Sequence, residues 1–158
     1  AGCCDSNITD NPSALECFEI FLNDDILNKI ILQTNLFETQ NLQNIVGQRH
    51  VKKWIPVNLE EMYSFIALSL LMPQVKKLSL KSYWTNDTII ATPFFGQVMS
   101  RDRYLSILKS LHFNDNAAND KTDKLVKIRL LVDHLREAFK KIVYPFRKFT
   151  SVQRATLL

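Results

Sequence analysis

Residues 92–116 constrain the fold more than any other stretch of the chain. Thr92-Pro93 opens a short apolar turn, and Ser100 stands where a helix wants its N-cap. Tyr104, Ile107, Leu108 and Leu111 then recur at i, i+3, i+4 and i+7, so this segment predicts one buried helical face. Arg101, Arg103 and Lys109 fall on the other faces, and Asn114-Asp115-Asn116 reads as a stop.

The same pattern of start signal, apolar stripe and stop recurs along the chain. Ser13-x-x-Glu16 is a capping box, and Leu15, Phe18 and Leu22 share a face behind it. Asn23 caps a longer helix, with Asp24 and Asp25 in its first turn and Leu27, Ile30, Ile31 and Thr34 on its inner side. It runs to about Asn44, with Gly47 as C-cap. Asn58-x-x-Glu61 starts a helix over 59–72 that is apolar nearly all round, the pattern of a helix at the centre of a domain. Pro73 ends it. A last helix is expected over about 123–143, with Leu125, Ile128, Val132, Leu135, Phe139 and Ile142 on one face and Tyr144-Pro145 as stop. Expected intrahelical pairs are Arg129 with Asp133 and Glu137 with Lys141.

Only three Gly and five Pro occur in 158 residues, too few for a loop-rich β sandwich. The sole β-like stretch is 149–152, which has no partner strand in the sequence. The expected fold is therefore all-α, an orthogonal helical bundle over residues 13–148. A loose segment precedes it at 1–12, and a truncated strand follows at 149–152 in the last segment, 149–158. The chain opens on Ala1, which suggests a fragment or a processed chain.

Composition is that of an ordinary soluble domain, 46% hydrophobic and 23% charged, and the longest apolar run, 65–72, is too short to span a bilayer. A membrane partner is not expected. Cys3, Cys4 and Cys17 are odd in number and have no His nearby, so free thiols are expected rather than a disulfide frame or a zinc site. The net charge of +4 conceals an asymmetry. Residues 1–45 hold one base, Lys29, against seven acids; residues 46–158 hold nineteen bases and nine acids. A basic body of this kind suits an anionic partner.

Catalytic motifs are missing. His50, His112 and His134 have no second ligand at metal-binding spacing, and no phosphate-binding glycine loop or nucleophile elbow is present. Asp115, Asp120 and Asp123 cluster in a polar loop of the kind that is usually solvated turn. His112, beside Phe113 at a helix end, reads as structural. The basic residues form better patterns. Arg49, Lys52, Lys53 and Trp54 make one cluster. Lys76, Lys77 and Lys81 flank Tyr83-Trp84, an arrangement suited to phosphate contacts with stacking or wedging. Arg129, Arg136 and Lys140 line one helix face. Against this, Trp54, Tyr83, Trp84, Phe94, Phe95 and Phe113 are the aromatics a core of this size requires.

Several of these motifs, in this order, resemble the piggyBac transposases and their transposable-element-derived relatives. They are Thr34-Asn35, Trp54, Glu61 with 65–72, Tyr83-Trp84, Phe94-Phe95-Gly96, residues 99–104, residues 111–116, Lys124-Leu125 and Lys127-Ile128-Arg129. The resemblance covers about residues 14–152. It implies a lineage of cut-and-paste DNA transposases, with a helical region for dimerisation and terminal-repeat DNA ahead of an RNase H-like domain with Asp-held Mg²⁺ ions, of which residues 149–158 would be the truncated start. It also implies a nuclear location. Departures are Pro73, Leu78 and Leu130 in place of the family's Gly, Pro and Pro, and Gln153 where its first catalytic Asp belongs. No Asp or Glu follows Glu137.

The sequence reading is therefore a helical dimerisation and DNA-binding region, not an enzyme by itself and without a cofactor of its own. Its candidate DNA contacts are Arg49, Lys52, Lys53, Arg101, Arg103, Arg129 and Arg136, and a homodimer is expected. Three alternatives stand beside it: part of an active transposase, a domesticated protein-interaction module, and a decayed reading frame.

Overall fold

The structure, a computed structural model, describes residues 13–44, 54–115 and 124–142. Within them the chain is all-α, with six α-helices and no strand. These are α1 (Ala14–Phe21), α2 (Asp24–Asn44), α3 (Leu59–Leu71), α4 (Pro93–Val98), α5 (Arg101–Ser110) and α6 (Arg129–Ile142). Two 3₁₀ turns, Leu80–Trp84 and Val126–Ile128, join them. Gly47, the acidic pair Asp120 and Asp123, the 149–152 strand and Gln153 lie outside the described residues.

The start signals form as written. The Ser13 hydroxyl accepts from the Glu16 N–H, and the Glu16 carboxylate accepts from the Ser13 N–H at 2.6 Å, completing the capping box. Asn23, Asn58 and Ser100 accept from the N–H three residues on, satisfying otherwise orphaned donors of α2, α3 and α5.

α2 is the organising helix and packs on both α3 and α5. Ile26, Leu27, Ile30 and Ile31 of α2 meet Met62, Phe65 and Leu68 of α3 and Tyr104 and Ile107 of α5 in one core. α4 packs on the first 3₁₀ turn, adding Tyr83, Phe95 and Met99 to that core. α6 packs against α1, through the Phe21 and Phe139 rings at 4.9 Å and a hydrogen bond from His134 Nε2 to the Phe21 carbonyl at 3.0 Å.

Three expectations change. The inner face of α5 is Tyr104, Ile107 and Ser110, while Leu108 stays 43% exposed. The Ser110 hydroxyl donates to the Glu38 carboxylate, which lets a polar residue take the buried position. α3 is apolar all round but buries only one side, leaving Leu70 exposed. The last helix starts at Arg129, because 126–128 winds more tightly, with the Ile128 N–H bonded to the Leu125 carbonyl. On α6, Asp133 lies 3.8 Å from Arg136, and Lys140 donates to Glu137 at 2.6 Å.

Candidate nucleic-acid interface

Asn35 fastens residues 54–57 to α2. Its side chain sits on α2 and behaves like a neighbouring strand: Oδ1 accepts from the Val57 N–H at 2.9 Å, and Nδ2 donates to the Val57 carbonyl at 3.1 Å. The same Oδ1 accepts from Trp54 Nε1 at 3.0 Å. One amide thereby fixes residues 54–57, the segment that follows the basic run Arg49, Lys52, Lys53. Trp54 in turn supports Arg103, whose guanidinium lies 5.0 Å from the indole centroid. The two ends of that guanidinium bond the two Glu61 oxygens, each at 2.6 Å, with both side chains at least three-quarters buried. The fork geometry suits arginine and excludes lysine.

Thr34, next to Asn35 and fully buried, fixes a second connector. Its hydroxyl donates to the Ile30 carbonyl at 2.7 Å and accepts from the His112 N–H at 3.3 Å. His112 stacks on Phe37 and donates from Nδ1 to the Ser110 carbonyl, so it holds the end of α5 in place. Tyr83 and Trp84 have similar tasks. The Tyr83 hydroxyl donates to the Met72 carbonyl at 2.8 Å and Trp84 Nε1 to the Met99 carbonyl at 2.7 Å. Their rings pack against Phe95, so this pair stabilises the core and does not project as a stacking platform.

The candidate DNA contacts divide three ways. Arg49, Lys52 and Lys53 lie outside the described residues. Arg103 is committed to Glu61 and Trp54. Arg101 and Arg136 are exposed on α5 and α6 and, among the described residues, pair with the exposed Asp102 and Asp133. Arg129, at the start of α6, lines a cleft of about 570 Å³ between α2 and α6, together with Lys29, Asp133, His134 and Glu137. Mixed charge gives that cleft no net preference for an anion.

A smaller cleft of about 290 Å³ is acidic, lined by Glu19, Asn23, Asp24, Asp25 and Tyr63. Tyr63 donates to Asp24 at 2.6 Å, and this bond to the carboxylate pushes the phenol up to about 12. Among the described residues, no group of three or more His, Cys, Asp or Glu side chains converges as a metal site would need. The described carboxylates thus do not fit the Mg²⁺ pair of a transposase centre. No helix among them is long and apolar enough to cross a membrane.

Sequence reasoning identified Arg103 and Glu61 separately but not as a pair, because they are 42 residues apart. The partners of Asn35 were equally hidden, although two polar residues on the inner side of an otherwise apolar helix are a usable signal, since buried polar groups need partners.

The core latches Thr34, Asn35, Trp54, Glu61, Tyr83, Trp84 and Arg103 are thus among the residues on which the family resemblance rests. The family model described as Transposase IS4 matches residues 13–154. The chain belongs to this family, in its piggyBac-type branch. It is 28% identical over 130 residues to human PiggyBac transposable element-derived protein 3, covering 81% of this chain and 20% of the relative. It is 26% identical over 135 residues to human PiggyBac transposable element-derived protein 5, covering 85% and 25%. For human PiggyBac transposable element-derived protein 2 the identity is 23% over 139 residues, covering 88% and 22%. The chain therefore spans a quarter or less of the length of these relatives. No solved structure matches it.

Proposed function

We propose that this chain is a helical DNA-binding module of a piggyBac-derived protein, one that holds duplex DNA and does not itself cut it. The observation that carries this reading is the charge distribution: nineteen bases against nine acids over residues 46–158, in a chain of a transposase family. Arg101, Lys109, Lys124, Lys127, Arg136 and Lys140 are all exposed. Surface ion pairs such as Arg101 with Asp102 are worth at most about 1 kcal/mol, so exchanging them for phosphates costs little. Arg103 serves the interface from behind, by fixing Trp54 and the chain that leaves Lys53. A DNA partner implies work in the nucleus, and no cofactor is needed for it.

A gel-shift titration of the whole chain against a duplex at two ionic strengths tests the reading. Affinity should fall steeply as salt rises; absence of a shift at micromolar protein would refute it. Self-association is the second reading. It is favoured by Ile128 and Phe139, which remain 39% and 51% exposed. Equilibrium sedimentation would show it as a doubled mass.

A further inference from the structure

Two of the most exposed apolar side chains lie on two loops within an acid-poor stretch of the chain. Leu78 is 105% exposed and Ile89 90%, each at the tip of a loop. Such tips are normally soft, but these are braced. Lys77 Nζ donates to the Ile90 carbonyl and joins the two loops. The Asp87 carboxylate accepts from the Ile89 N–H at 3.0 Å and holds that residue at the turn. Ser79 and Ser82 hydroxyls pair at 2.7 Å behind Leu78, and Thr92 ties the far end of the second loop to the Tyr83 carbonyl at 2.8 Å.

Charge selects the partner. Between Glu61 and Asp102 the only acid is Asp87, whose carboxylate is occupied by its own turn, whereas Lys76, Lys77, Lys81 and Arg101 are all basic. Lys76 and Lys81 are exposed on either side of Leu78. Tyr83 and Trp84, the aromatics between these lysines and the second loop, are absorbed into the core and cannot serve as the stacking groups. Rigidly held aliphatic tips flanked by lysines have the composition of the wedges that DNA-bending proteins push between base steps while basic groups hold the phosphates.

We propose that Leu78 and Ile89 form an apolar wedge that enters duplex DNA at a base step, with Lys76 and Lys81 on the flanking phosphates. This rests on the DNA-binding reading and adds a second contact surface to it, one that deforms the duplex. The test uses the full chain and a duplex carrying 2-aminopurine at its centre, whose fluorescence rises on unstacking. Wild type should bind with a fluorescence rise. The double variant Leu78→Ala/Ile89→Ala should lose that rise and roughly tenfold in affinity, at an unchanged salt slope. Lys76→Gln/Lys81→Gln should flatten the slope of log affinity against log salt by about 2. All four side chains lie at the surface, and circular dichroism checks that the variants remain folded. If wild type binds but the apolar variant keeps both affinity and fluorescence, the wedge is wrong and the DNA-binding reading survives. If wild type does not bind, both fall. If the apolar substitutions instead change the mass in light scattering without DNA, the surface is a protein contact and the wedge is overturned.

Discussion

Replacing Asn35 tests the clamp on residues 54–57. Asn35→Ala removes three hydrogen bonds, two to the backbone of Val57 and one to Trp54 Nε1. Val57 is 3% exposed, so its N–H and C=O have little access to replacement water, while half-buried Trp54 can be partly resolvated. A buried polar group left unpaired costs about 1–3 kcal/mol, which puts the total near 3 kcal/mol. For a chain of this size that lowers Tm by roughly 10 °C. Leu32→Ala on the exposed side of the same helix should stay within about 0.5 kcal/mol. Asn35→Asp separates geometry from size. Protonated, the new carboxyl can donate to the Val57 carbonyl as the amide did; ionised, it sets an oxygen against an oxygen. Its folded pKa is therefore raised, and its stability relative to wild type should be best at low pH and fall as pH rises through that value. Urea unfolding across pH measures both effects. An Asn35→Ala protein within about 0.5 kcal/mol of wild type, or a pH-independent Asn35→Asp difference, refutes the clamp.

Further predictions follow from the other pairs. Arg103→Ala leaves Glu61 largely buried without its partner and should cost about 3 kcal/mol; Arg103→Lys should recover little of it, since lysine lacks the fork and the stacking plane. Glu16 is held below its ordinary value first by the Ser13 backbone N–H and then by the Ser13 hydroxyl. Its contribution is present above the unfolded carboxylate pKa and is lost as pH falls through the lower folded value. NMR titration should show the Glu16 carboxyl moving up in Ser13→Ala. Tyr63, pushed up to about 12, contributes in full below the ordinary phenol value and loses that contribution as pH rises through 12. Asp24→Asn should bring its phenolate absorbance back to lower pH.

Local chemistry was legible in the sequence wherever it acts over three or four residues. The capping box at Ser13 and Glu16, the caps at Asn23, Asn58 and Ser100, and the stripe led by Tyr104 and Ile107 form as their spacing implies. What the sequence hides is pairing at a distance. Leu108 and Ser110 both fit an amphipathic α5, and the choice between them depends on Glu38, 72 residues away. The basic aromatic run at 76–84 looks like a stacking surface, because composition cannot reveal that Tyr83 and Trp84 bond the carbonyls of Met72 and Met99. Among the candidate DNA contacts, Arg101 and Arg136 keep an exposed face while Arg103 becomes framework. One-dimensional spacing does not distinguish those roles.

The salt dependence of duplex binding tests the central claim most directly. Binding of the whole chain to a labelled duplex, measured from low to moderate salt, should give a slope of log affinity against log salt of about −3 to −6, since each phosphate contact contributes about −0.9. Arg101→Gln/Arg136→Gln should reduce it by about 2 without changing stability. A slope near zero, or equal binding to a neutral polymer and to DNA, would contradict the account.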